Sequence, residues 1–241
     1  MAKVAFRWGR DAFSLAVDEF AIGARERVLL TGPSGSGKST FLSLLCGIIT
    51  PQAGAISILG EDITVMSAAS RDAYRAEHFG IIFQMFNLLP YGGIVDNVLL
   101  PLSFAPGRRR RAIANGTAES EAVRLLTELG LAGELGRRRA AAHLSVGQQQ
   151  RVAVARALIG APELIVADEP TSALDRELQD AFLDLLFQQT QEAGSSLVMV
   201  SHDTNLAPRF DRVVALNAIA RTQSSASLPD GAAGGGAEAK P

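Results

Sequence analysis

Cysteine is nearly absent from this sequence. Cys46 stands alone, so no internal disulfide can form, and its setting in FLSLLCGII reads as a small core residue in a chain suited to a reducing compartment. Long apolar runs are also missing. Nothing approaches the roughly 20 residues that span a bilayer, and the opening MAKVAFRWGRD has no signal-peptide apolar region, so a cytosolic chain is expected. Charge of one sign is not in excess either: 23 Lys and Arg stand against 25 Asp and Glu. That balance gives no case for nucleic acid as the main partner, because such a partner needs a strongly basic face. No internal repeat is found. What is present, 47% hydrophobic residues in 241, suffices for a sizeable core in one large domain or two small ones.

From Ala2 to Gly60 short apolar runs (VAFRW, FSLAV, ERVLLTG, AISILG) alternate with turn residues and read mainly as strands. One helix interrupts them: KSTFLSLLCGII places Phe41, Leu44, Leu45 and Ile48 on one face and is expected to run until Pro51 stops it. From about 85 to 160 the pattern is helical, broken by PYGG, APG and NG, as in a separate helical layer. The runs Arg108–Arg111 and Arg137–Arg139 fall in this layer and read as solvated faces that anionic headgroups would also suit. Strand and helix alternate again from Pro162 to Leu216, where ELIVAD and SLVMVS are continuous enough to lie in a parallel sheet covered on both faces. Residues 1–220 are thus expected to form one domain, followed by a disordered tail over 221–241, RTQSSASLPDGAAGGGAEAKP. His78 and His143 read as surface or packing residues.

GPSGSGKS, comprising Gly32, Pro33, Ser34, Gly35, Ser36, Gly37, Lys38 and Ser39, follows the strand RVLLT and opens the next helix at Thr40. That is the pattern and position of a phosphate-binding loop. Its N–H groups curl around a β-phosphate, Lys38 reaches the β- and γ-phosphates, and the Ser39 hydroxyl can ligate Mg²⁺. LIVADE brings Asp168 and Glu169 to the carboxyl end of a buried strand, where parallel sheets bind ligands. Asp168 suits a second Mg²⁺ contact, and Glu169 suits the base for an attacking water. SLVMVSHD delivers His202 to the same rim, toward a γ-phosphate, and GIIFQ delivers Gln84, which can touch Mg²⁺ or the water. In LSVGQQQRVAVARAL, Val152, Ala155 and Ile159 form one apolar stripe and Ser145 sits at the N-cap. On this stretch alone the helix end is either a capped surface terminus or an anion site.

Taken in order, Gly32–Ser39, Gln84, LSVGQ, LIVADE, SALD and His202 resemble the ATP-binding subunits of ABC transporters over about Ala2–Leu216. The resemblance implies an α/β fold: a P-loop NTPase (RecA-like) core with an N-terminal antiparallel β-subdomain and an inserted α-helical subdomain. It implies ATP and Mg²⁺ as ligands. It also implies a homodimer in which Ser145, Gly147 and Gln148 bind the γ-phosphate held by the second copy; Val146 replaces that family's central glycine. Asp175 matches the loop that crosses the dimer interface. Trp8 is the candidate to stack on adenine, with Phe6 and Phe13 as rivals. Within the family, FGIIFQMFNLLPYGGIVDNVLLPL resembles the lipoprotein-release and macrolide-export group, implying an integral-membrane permease partner and a location on the inner face of the membrane. The apolar segment Met85–Pro101, with Phe86, Leu88, Leu89, Tyr91 and Ile94, is the expected docking site for that permease. Two alternatives are a non-transport ABC ATPase acting on nucleic acid and a regulatory scaffold at the membrane. The first asks for tandem cassettes or long coiled-coil insertions, and the second is opposed by an intact Glu169 and His202.

Overall fold

A computed structural model describes residues 1–9, 13–136, 140–172, 174 and 176–223. Asp175, the run Arg137–Arg139 and the expected tail beyond 223 lie outside the described residues. In chain order the elements are β1 (Ala2–Arg7), β2 (Ser14–Glu19), β3 (Arg27–Thr31), α1 (Lys38–Leu45), β4 (Ala53–Ala55), β5 (Ser57–Ile58), β6 (Glu61–Asp62), α2 (Ala68–His78) and β7 (Phe79–Ile82). They continue with α3 (Ile94–Leu99), α4 (Pro106–Ala112), α5 (Ala118–Glu128), α6 (Val146–Leu158), β8 (Leu164–Asp168), α7 (Arg176–Ala193), β9 (Ser196–Val200), β10 (Arg212–Ala215), α8 (Leu216–Ile219) and β11 (Ala220–Gln223).

Strands β10, β3, β9, β8 and β7 lie side by side in that order, all parallel. Their unbroken apolar runs follow from alternation between two covered faces. Val28, Leu30, Val166, Val198 and Val200 join a core with β1, β2 and α1, while Leu29, Ile165, Leu197 and Met199 join a core with the helical layer. The second sheet, β11-β2-β1-β4, is antiparallel and shares the first of these cores through Val4, Phe6, Leu15 and Val17. Because all five central strands run the same way, the segments that follow β3, β7, β8 and β9 leave from one edge.

Several expectations are corrected. Helix α1 ends at Leu45, well before Pro51: Gly47 turns the chain at φ 62°, and Ile48 is half exposed instead of sharing the buried face. Residues 85–90 are not helical, and Phe86 and Asn87 adopt positive φ. From Val152 to Leu158 helix α6 is buried all round, not along one stripe, because the central sheet, α3, α5 and α7 all pack against it. Arg221–Gln223, expected to begin the tail, instead continue from Ala220 as a strand that adds to the free edge of β2, with Arg221 paired to Asp18 at 2.8 Å. The arginine tetrad is not a uniformly solvated face. Arg108 is only 1% exposed, its guanidinium donating to the carbonyls of Phe79, Ala157 and Ile159, whereas Arg109 and Arg110 are exposed. Cys46 is buried, and burial pushes its thiol pKa up to about 12, as an inert core residue requires. His78 packs at a tilt against the Tyr74 ring and lies 3.0 Å from Glu163, and His143 is exposed.

Candidate functional site

The loop between β3 and α1 is built around an ammonium group. Lys38 is buried, with Nζ donating to the carbonyls of Gly32 at 2.8 Å and Pro33 at 3.0 Å and lying 3.6 Å from Glu169 Oε1. Gly37 permits the turn into α1: it sits at φ 93°, and a Cβ there would come within 2.5 Å of the Phe13 ring. The Ser36 hydroxyl is buried with no hydrogen-bond partner. A buried donor of that kind, beside a held cation and a glycine-lined backbone, fits a phosphate group.

Opposite the loop, β8 ends in the two carboxylates. Asp168 Oδ2 accepts a hydrogen bond from Ser39 Oγ at 3.5 Å. Burial raises the pKa of Asp168, the neighbouring Glu169 charge raises it further, and the Ser39 bond and Lys38 oppose the shift. Glu169 holds the left-handed region at φ 43°, its N–H bonded to the Val200 carbonyl at 3.1 Å, so its side chain reaches between Lys38 and His202. His202 Nδ1 is 3.3 Å from Glu169 Oε2, and its ring is largely exposed.

One cleft of about 510 Å³ is lined by Trp8, Phe13, the phosphate loop, Thr40, Gln84, Asp168 and Glu169. A larger concavity of about 840 Å³ lies over the antiparallel sheet, between Arg7, Gln52 and Arg221, and holds none of this chemistry. Trp8 is half exposed, donates to Thr40 Oγ1 at 3.3 Å and stands edge-on against Phe6 at 5.0 Å. Phe6 is buried and props Trp8; Trp8 and Phe13 are the aromatics that reach the cleft.

Ser145, Gly147 and Gln148 do not line that cleft. They form the start of α6, where Ser145 Oγ accepts from the Gln148 N–H at 3.3 Å and the Ser145 N–H donates to Gln148 Oε1 at 2.9 Å. A Cβ placed on Gly147 would meet nothing within 4 Å, so this helix end faces open space with its Val146 and Gly147 N–H groups free of the box. Within one chain, the two halves of the expected site are separate.

Sequence reasoning missed three buried polar side chains around α6. Gln150 donates to the Pro170 carbonyl, Arg156 donates to the carbonyls of Phe86 and Asn87, and Arg108 binds the carbonyls at the helix's far end. Only Arg156 carried a signal, a charge inside the apolar run Val152–Leu158; Gln150 ends a run of three glutamines and Arg108 opens a run of four arginines, where nothing in the sequence marks one member as buried. Arg156 thereby fixes the left-handed turn that follows Gln84.

A family model described as ABC transporter matches residues 15–172. The chain is 40% identical over 198 residues to the uncharacterized ABC transporter ATP-binding protein YbbA of Escherichia coli K12, covering 82% of this chain and 83% of that one. It is 37% identical over 194 residues to the lipoprotein-releasing system ATP-binding protein LolD of Hydrogenovibrio crunogenus, covering 80% and 81%. It is also 42% identical over 194 residues to the macrolide export ATP-binding/permease protein MacB of Rhodopirellula baltica, covering 80% of this chain and 27% of that longer one. Among solved structures it resembles the post-hydrolysis dimer of the ATP-binding cassette MJ0796 bound to ADP and Pi, with TM-score 0.74 and 32% identity, over 89% of this chain and 92% of that one.

Proposed function

The chain belongs to the ABC transporter family, and from that premise we propose that it is the subunit that binds and hydrolyses ATP, paired with a second copy of itself under a separate membrane permease. The observation that carries this reading is the convergence of Lys38, Ser39, Asp168 and Glu169 on one cleft. Lys38 and the loop N–H groups hold and neutralise the phosphates, while Trp8 or Phe13 receives adenine. Glu169, between Lys38 and His202, orients and deprotonates the attacking water, with His202 and Gln84 at the γ-phosphate end. A hydroxyl beside a carboxylate is a fitting donor pair for Mg²⁺, which binds through few protein ligands together with phosphate oxygens; when bound it neutralises developing charge.

The open end of α6 in each copy supplies Ser145, Gly147 and Gln148 to the phosphates held by the other. The likeness to a dimeric ATP-binding cassette supports this pairing. Similarity to lipoprotein-releasing and macrolide-export proteins supports a permease of that type and a place on the inner face of the membrane. Among the described residues no helix is long and apolar enough to cross a membrane.

The experiment mixes two defective variants. Lys38→Ala abolishes ATP binding in its own chain, and Ser145→Arg spares binding but blocks closure. Each is inactive alone, and together they regenerate one complete site in a mixed dimer, so ATP turnover reappears on mixing. A mixture no more active than either parent overturns the shared-site reading.

A further inference from the structure

The turn that carries Glu169 is held from four sides. Its φ of 43° is a conformation that a residue with a Cβ rarely adopts, and such backbone persists only where its surroundings over-determine it. The Glu169 N–H is bonded to Val200 O at 3.1 Å, the Ser172 N–H closes back onto Glu169 O at 3.2 Å, and Gln179 Nε2 donates to Thr171 Oγ1 at 3.0 Å. The fourth hold comes from another part of the chain: Gln150, on the second turn of α6 and 1% exposed, donates to the carbonyl of Pro170.

We propose that Gln150 is a positioning residue for the Glu169 of its own chain. The proposal rests on the reading of Glu169 as the base. Neither Gln150 nor its partner Pro170 lines the nucleotide cleft; the bond is to the Pro170–Thr171 peptide, one residue beyond Glu169. The Gln150 donor fixes where the Pro170 carbonyl points; because the Pro170 ring fixes that residue's φ, this holds the whole turn from Glu169 to Thr171, and with it the backbone that aims the carboxylate between Lys38 and His202. The same helix begins at the Ser145 cap, five residues before Gln150. Through the intervening backbone of α6, an anion engaged at its N-terminus bears on Gln150 and on the Pro170 carbonyl that it holds. The base of one site is thereby tied to occupancy of the other site, without any contact between the two nucleotides.

The test compares Gln150→Met, which keeps the volume and removes the donor, with Gln150→Glu, which keeps the shape and presents an acceptor to the carbonyl. Both are expected to lower kcat roughly tenfold or more, as misplaced catalytic groups do. The KM for ATP stays at the wild-type value, and the ATP-bound dimer persists longer in size-exclusion chromatography with Mg²⁺ and ATP. That persistence is the discriminating readout: a side chain that merely supported the Ser145 end would lose the ATP-bound dimer together with turnover, and that outcome overturns the proposal. Wild-type kcat in both variants overturns it as well. Should Gln150→Met lower the melting temperature, Gln150→Glu is the variant read. Glu169→Gln is assayed in parallel. If it still turns over, the reading of the base fails; if it is inactive while the Gln150 variants match wild type, only the present proposal fails.

Discussion

Asp168 illustrates the cost of a catalytic cleft in a single side chain. It is half buried beside a second carboxylate, and both conditions raise its pKa above the ordinary carboxylate value. The sign of the stability effect follows. A carboxylate whose folded-state pKa exceeds its unfolded value of about 3.9 loses stability as pH rises from the unfolded to the folded pKa, and the loss persists at neutral pH. Asp168→Asn is therefore expected to raise the nucleotide-free melting temperature at neutral pH, while abolishing Mg²⁺-dependent ATP turnover. The stabilisation shrinks toward zero below about pH 4, where both forms are neutral. Thermal melts across this pH range, with ATPase assays at neutral pH, check both halves; a variant that melts below wild type at neutral pH contradicts the electrostatic account. Such exchange of stability for activity is common at active sites.

At the scale of elements, α4 shows how one helix divides four identical side chains. Arg108 faces inward and satisfies the carbonyls of Phe79, Ala157 and Ile159, joining α4 to β7 and to the end of α6. Burial lowers its pKa to about 10, which leaves it charged at neutral pH, with backbone dipoles as its hydrogen-bond acceptors. Arg108→Ala removes the donors and leaves these carbonyls unpaired in a cavity, so a loss of about 3 kcal/mol or more is expected, seen as a melting temperature lower by roughly 6–12 °C. Arg109→Ala, one residue along and exposed, should stay within about 0.5 kcal/mol of wild type. Equal effects at the two positions would remove Arg108 from this role.

Across the whole molecule, the helical layer and the sheet core leave a groove between them. It measures about 580 Å³ and is lined mainly by apolar side chains, among them Phe79, Ile81, Phe83, Leu100, Pro101 and Phe104. The docking segment expected from sequence divides accordingly: Phe86 and Ile94 are core, Leu89 is pinned through its backbone to Asn97, and Tyr91 stands 81% exposed. The groove adjoins Arg156, which fixes the turn after Gln84, so a permease segment seated there would bear on the nucleotide cleft. Phe104, two-thirds exposed, is the side chain to change. Phe104→Glu is expected to leave the melting temperature and ATP affinity unchanged while abolishing co-purification with the membrane permease proposed as its partner. Joint loss of stability and ATP binding would instead make Phe104 a core residue.

The phosphate loop and the Asp168–Glu169 pair were legible in the sequence because their geometry is local. A strand, a turn and a helix within a dozen residues bring the backbone donors and Lys38 together, and a strand end presents adjacent carboxylates wherever the strand lies. The parallel sheet was legible for a related reason, since two covered faces leave unbroken apolar runs. Only the tertiary structure decided which arginine of four is buried, that α6 is enclosed all round from Val152 to Leu158, and that residues 220–223 pair with β2. It also decided that Gln150 meets a carbonyl 20 positions away and Arg108 one 51 positions away. Periodicity reports which face of a segment is apolar, but not what covers the other faces. A buried polar side chain is stabilised by acceptors from distant segments, and those become neighbours only when the layers close.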